Sequence, residues 1–407
     1  MKNALVFTLI LLGALAVVEG GIRVIRPVGD IRIAPDPDLL FRIRPGSRSY
    51  FTDLDTGERH LAVYDETGMR GARRQLAGAA PRIAVYGDSF VEASFTREEF
   101  TFTRQLENAL KEKGLSDVVV MNAGVQGYGP DQELRRMQRE LGEARPDLIV
   151  WCLFSGNDYG DLLRNRMVSP RPESGLRWRK PVLAAAIRNE LAAADSALYR
   201  SAIAQTIAKH GPPFLWRLQR AFRVLAGLQP RDTPESIVRR KMQTAWRHNQ
   251  VDFAEYSASS PVTNLFKDDA DADFIFARES DSVYTKQAIL RVLLREAASS
   301  IAPTTPIFVV IIPMLPALTL SCEEPLSAPV GARSCAPAFL TDSMSRIAAQ
   351  SGLPHRDLFA LFKASEPRKL YFADDGHWNR TGQALAARVV AEDILQSRVS
   401  QRLSNLR

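Results

Sequence analysis

A chain of 407 residues, 45% apolar and 24% charged, is long enough for a sizeable core and about two folded units, which excludes a disordered or fibrous class. Its net charge of +7 fits attraction to anionic surfaces such as phospholipid headgroups or acidic glycans, and equally an arginine-rich background. No cysteine–histidine spacing suggests zinc, His60, His210, His248 and His355 are scattered, and no cofactor or nucleic-acid partner is expected.

In chain order, Met1-Lys2-Asn3 and the uncharged run Ala4 to Val18 have the basic tip and apolar stretch of an export signal. Ala14-Leu15-Ala16 offers a small-x-small cleavage site, while Gly20 to Ile22 could extend the run into an uncleaved anchor, so residues 1–22 read as a leader or an inner-membrane anchor. The protein is then exported to the periplasm or another extracytoplasmic compartment. Residues 23–80 read as a β-rich lead-in, from alternations such as Asp30 to Ile33 and His60 to Tyr64, with no function assigned.

From Arg82 apolar runs alternate with helical stretches. The expected elements are a strand over Ile83–Tyr86, a helix over Arg97–Lys113, a strand over Val118–Met121, a helix over Asp131–Glu143 and a strand over Leu148–Phe154. Continuous Val, Ile and Leu runs between amphipathic helices predict a parallel sheet covered on both faces, with ligands at the carboxyl ends of its strands.

Residues 160–283 carry helical stretches at Val182–Lys209, Phe214–Leu228 and Pro234–Arg247, and read as a helical subdomain inserted over the strand ends, either a substrate-selecting cap or a membrane-docking elaboration. Phe214, Leu215, Trp216 and Phe222 among arginines suit a membrane surface or a core face. The pattern resumes with a helix over Tyr284–Ser299, a strand over Pro306–Pro313, a helix over Ala338–Ser351, an extended piece over Lys369–Phe372 and a helix over Thr381–Leu395. Cys322 and Cys335, 13 apart in a loop, could form a disulfide in an oxidising compartment, whereas Cys152 reads as a buried small hydrophobe.

Four blocks each follow an apolar run: Gly87-Asp88-Ser89, Asn122 to Gly129, Phe154 to Asp158, and Asp374-Asp375-Gly376-His377-Trp378-Asn379. A hydroxyl at a strand-to-helix turn and a late carboxylate–histidine pair are the minimum kit of a serine nucleophile. The four blocks, in this order, resemble the SGNH/GDSL hydrolase family over roughly residues 80–160 and 300–395. The resemblance implies a flavodoxin-like three-layer α/β sandwich, with residues 81–159 and 284–397 as the hydrolase domain. It also implies Ser89 as nucleophile, His377 as general base, and Ser89, Gly127 and Asn157 as oxyanion donors.

The orienting acid is Asp374, three before the histidine as in most of the family, or Asp375, in the Asp-x-His-Trp order resembling bacterial polysaccharide O-acetyltransferases, which is slightly favoured. Asp88 reads as a cap, and Gly124 and Gly129 as turn residues. Phe90 and Trp378 depart from the family's common form, which has Leu after the Ser and often Pro after the His. The expected activity is hydrolysis of an acyl, foremost acetyl, ester of a carbohydrate or other envelope molecule. The alternatives are an O-acyltransferase with the same residues and a binding protein on a decayed hydrolase scaffold.

Overall fold

The computed structural model describes residues 2–25, 29–30, 32–71, 80–169, 175–194, 201, 234–260, 269–322, 335–372 and 375–396. Helix α1 (Lys2–Ile25) runs past the expected end of the apolar stretch, because Glu19 is paired with Arg23 one turn on, at 2.8 Å, and does not break it. Its segment Leu5–Ile25 has 21 residues and a mean hydropathy of 2.3, long and apolar enough to cross a bilayer.

The lead-in forms two antiparallel hairpins, β1 (Ile33–Asp36) with β2 (Leu40–Ile43) and β3 (Arg48–Thr52) with β4 (Arg59–Val63). Leu39, Leu40, Phe41, Ile43 and Tyr64 form a small apolar cluster with Val125 and Tyr128, so the hairpins pack on the loop of the second block.

Next come β5 (Arg82–Gly87), α2 (Ser89–Glu92), α3 (Phe102–Glu112), β6 (Val119–Gly124), α4 (Pro130–Ala144), β7 (Leu148–Phe154) and α5 (Asp158–Asn165). Helices α6 (Ala185–Ala194), α7 (Pro234–Ser257), α8 (Ala272–Phe276) and α9 (Asp281–Ser300) follow. The chain then forms β8 (Ile307–Ile312), α10 (Leu315–Thr319), α11 (Phe339–Gln350), β9 (His355–Asp357), α12 (Phe359–Ala364) and α13 (Arg380–Gln396).

The sheet order is β6-β5-β7-β8-β9, all parallel, which is the flavodoxin-like 2-1-3-4-5 arrangement. Helices α3 and α13 pack together as one layer, and α4, α5, α9 and α11 form the other. This is a three-layer α/β fold. The order reverses beside β5, so the carboxyl ends of β6, β5 and β7 frame a crevice.

Two expected elements differ, and one strand was not expected. The helix over Arg97–Lys113 begins only at Phe102, because Thr101 caps it from extended backbone and Glu98–Phe100 form a separate 3₁₀ turn. Of Lys369–Phe372, expected to be extended, Lys369 ends a 3₁₀ turn (Pro367–Lys369) and Tyr371 makes a single antiparallel bridge to Trp378. The fifth strand, β9, has no counterpart among the expected elements.

Of the insertion's expected helices, Phe214–Leu228 lies outside the described residues, and of Val182–Lys209 only Ala185–Ala194 is described as helix. Helix α7 is longer than expected. Its Met242, Ala245 and Trp246, with Phe274, Ile275 and Phe276 of α8, belong to the same apolar core as the sheet.

A buried ion-paired lysine fastens this part of the insertion to the third block. Lys286 Nζ lies 2.7 Å from Asp271 Oδ1 and 2.8 Å from Asp273 Oδ2, with none of the lysine side chain exposed. Asp271 also donates its N–H to Gly156 O at 2.6 Å and accepts the Gly160 N–H on Oδ2 at 3.0 Å. Lys286→Met would strand two buried carboxylates, so urea unfolding is expected to show a loss of roughly 3–5 kcal/mol. A loss below about 1 kcal/mol would mean that the two acids re-pair or take up protons without strain.

Candidate active site

Ser89 follows β5 by one residue and opens α2. Asp88 caps that turn by accepting the Phe90 N–H on Oδ1 at 2.8 Å, the role expected of it. The turn lies directly on the end of β6. A Cβ on Gly124 would come within 2.2 Å of the Glu92 amide nitrogen, so this glycine serves the close approach of α2 and not a turn. Asn122 reinforces the contact, its Nδ2 donating to Val91 O at 2.8 Å.

The fourth block comes to Ser89 from the far end of the chain. His377 Nε2 is 2.7 Å from Ser89 Oγ, and His377 Nδ1 is hydrogen-bonded to Asp375 Oδ1. Asp375 Oδ1 also accepts the His377 backbone N–H at 3.1 Å, while Gly376 between them has a φ of +95°, a conformation natural to glycine. Burial opposes ionisation of Asp375, but the two bonds from His377 and the nearby positive charge of Lys241 on α7 hold its carboxyl below the usual range. Asp374, the other acid expected here, lies outside the described residues.

The two departures from the family's common form meet one another. Trp378 is buried and donates its indole N–H to Phe90 O at 2.9 Å, and the two rings pack edge to face at 5.6 Å. Phe90 also lies against the His377 ring at 4.7 Å and stacks on Phe154 at 3.8 Å. The serine turn and the histidine loop are thereby clasped by aromatic packing.

Gly127 sits in a turn closed by Tyr128 N–H to Val125 O at 3.1 Å, with a φ of +81° at the glycine, the sign a type II turn requires at its third position. Asn157 is buried three residues after the end of β7, at the N-cap position of α5, with no capping hydrogen bond from its side chain. Ser89, Gly127 and Asn157 thus follow the carboxyl ends of three adjacent strands, in sheet order Gly127, Ser89, Asn157. Gly129 caps α4, where a Cβ would meet Asp161 Cβ at 2.7 Å.

Behind these turns lies a group of buried acids. Burial pushes Asp131 up to about 7, and Glu133, Asp158 and Asp161 well above the usual carboxylate range. Glu133 accepts the Trp151 indole N–H at 2.6 Å, and Asp158 accepts the Phe154 N–H at 2.7 Å, closing the turn that carries Asn157. Among the described residues, no three His, Cys, Asp or Glu are grouped so as to hold a metal ion. Cys322 and Cys335 are joined by a disulfide, and Cys152 is a buried free thiol.

Sequence reasoning missed the charges packed under the serine turn. Glu92 is fully buried against Arg32 and Tyr64, and Arg70 is buried with its guanidinium donating to Glu92 O, Ala93 O and Thr96 O. The available signal was Glu92 itself, the one charge between Phe90 and Phe95.

No protein-family model and no curated protein matches the chain. Solved structures similar to it include LAE5, an α/β hydrolase enzyme from the metagenome of Lake Arreo, at 12% identity and a TM-score of 0.38, covering 82% of this chain and 100% of that one. The lipase/acylhydrolase from Enterococcus faecalis matches at 12% identity and a TM-score of 0.35, covering 77% and 95%. Axe2, an acetylxylan esterase from Geobacillus stearothermophilus, matches at 12% and 0.36, covering 78% and 95%. At these scores the likenesses are distant.

Proposed function

We propose that the chain is a serine esterase of SGNH type that removes short acyl groups, foremost acetyl, from a carbohydrate or other envelope ester. The observation that carries this reading is the continuous relay from Ser89 Oγ through both ring nitrogens of His377 to Asp375. In it His377 Nε2 takes the Ser89 proton as Oγ attacks the ester carbonyl, and the Ser89 N–H, the Gly127 N–H and the Asn157 amide stabilise the resulting oxyanion. Collapse breaks the ester C–O bond, and His377 returns the proton to the leaving alcohol. Water, deprotonated by His377 in turn, then releases the acid and restores Ser89.

A small acyl group is supported by a recess beside Ser89 and His377, walled by Ala93, Phe95, Gln126 and Phe372. Its volume is about 10 Å³, the scale of one water molecule or methyl group, which supports acetyl over longer acyl chains. On p-nitrophenyl esters, kcat/KM is expected to fall at least about fivefold from acetate to butyrate, since overpacking a filled site typically costs 1–3 kcal/mol. Equal kcat/KM on acetate and butyrate would refute the acetyl assignment.

Residues 81–159 and 284–397 are the hydrolase domain in this reading, 23–80 its lead-in and 160–283 the cap. Helix α7 packs on α5 and α10, which follow the carboxyl ends of β7 and β8, and its Lys241 acts on Asp375. That supports a cap facing the substrate, while α1 supports export by a leader or an anchor. The O-acyltransferase reading is supported by the Asp375-Gly376-His377-Trp378 order. A sugar alcohol added as acceptor that becomes acetylated faster than acetate is released would favour it.

A further inference from the structure

We propose that Glu92 is a positioning residue that, with Arg32 of the lead-in, orients the Gln126–Gly127 peptide for oxyanion binding. The inference rests on the proposed function and extends it to two residues outside the four blocks. Glu92 is fully buried at the end of the serine turn, where an unpaired carboxylate would cost several kcal/mol. Its two oxygens are used differently. Oε1 receives Arg32, the Tyr64 hydroxyl and the Ser94 hydroxyl, the last at 3.0 Å. Oε2 receives the backbone N–H of Gln126 at 2.6 Å.

The turn bearing Gly127 is therefore bound to an anion through the amide next to the candidate donor, a stronger and more directional tie than a neutral acceptor gives. Arg32 adds a second hold by donating to Gln126 Oε1 at 2.9 Å. Val125 N–H goes to Gly87 O at 3.0 Å, Tyr128 N–H closes the turn, and the Tyr128 hydroxyl reaches Phe41 O at 2.7 Å. The Gly127 N–H is the one amide of the turn with no acceptor among the described residues. The neighbouring amides are all tied, which fixes the orientation of this remaining donor, and an oxyanion donor acts only when it is held in place before the charge develops.

A buried ion pair that merely closes the lead-in onto the domain would make the same contacts, so the test must separate orientation from folding. The full chain and its Glu92→Gln and Arg32→Met variants are compared for p-nitrophenyl acetate turnover, with competent sites counted by fluorophosphonate labelling of Ser89. An amide at position 92 has a single acceptor oxygen, so either the Gln126 N–H or Arg32 loses its partner and the joint hold on the turn is broken. The methionine leaves the carboxylate in place without its counter-ion or the tie to Gln126.

In each folded variant kcat per labelled site is expected to fall about 10- to 100-fold with KM within about threefold, less than the roughly 10²–10³-fold of an oxyanion donor removed outright because the donor is misplaced and not lost. The double variant should be no worse than the worse single, because both act through one turn. A kcat per labelled site within fivefold of the unsubstituted chain, in either folded variant, would overturn the role of Glu92 even if fewer sites are labelled. Failure of the unsubstituted chain to label at Ser89 or to turn over would instead sink the proposed function.

Discussion

Ser89→Ala is expected to lower kcat for acetyl ester hydrolysis by at least about 10⁴-fold, the scale on which loss of a serine nucleophile acts when oxyanion donors remain. The fold should survive, because among the described residues the hydroxyl's hydrogen bonds are to His377 Nε2 and, at 3.4 Å, Asp88 Oδ2, and neither secures an element. Turnover of p-nitrophenyl acetate by variant and parent, with circular dichroism and thermal melts on both, checks the two halves separately. A variant with more than about one-tenth of parental kcat would remove Ser89 from the mechanism.

The second large effect is at Asp375. Its carboxylate accepts from His377 Nδ1, which fixes the ring with Nε2 as the basic nitrogen facing Ser89. In Asp375→Asn the amide can donate to Nδ1, which favours the tautomer with its proton on Nε2, where it cannot take one from Ser89. A loss of about 10⁴-fold in kcat follows. Asp374→Asn is expected to stay within about tenfold of the parent. The reverse ranking in the same assay would hand the orienting role to Asp374.

The central strands were legible because each is a continuous apolar run flanked by turn residues: Ile83 to Tyr86, Leu148 to Phe154 and Ile307 to Ile312 announce buried parallel strands by composition alone. The last strand, His355-Arg356-Asp357, was not legible. It is a three-residue edge strand of polar residues, recognisable only from its pairing with Val309 to Ile311.

The candidate site divides along the same line. Ser89 and His377 stood out because each sits in a short string whose chemistry is unusual for a turn. Arg32, Tyr64 and Glu92 did not, because a charge within an alternating stretch reads as solvent-facing until a partner 60 or 28 residues away buries it. Phe90 and Trp378, taken singly, looked like departures. At 288 residues' separation, nothing local says that they are one contact.

Helix α1 ends at Ile25, and the Asp30 N–H already pairs with Arg48 O at 2.6 Å. Five virtual bonds reach at most about 18 Å. If α1 is held in a bilayer, the start of the lead-in at Asp30 lies within that leash of the lipid surface and the domain it packs on is tethered there. Esters on a soluble oligosaccharide would meet the site by diffusion. Those carried on a membrane-bound glycan or lipid would meet it in two dimensions, at a local concentration set by the length of the tether and not by the volume of the compartment.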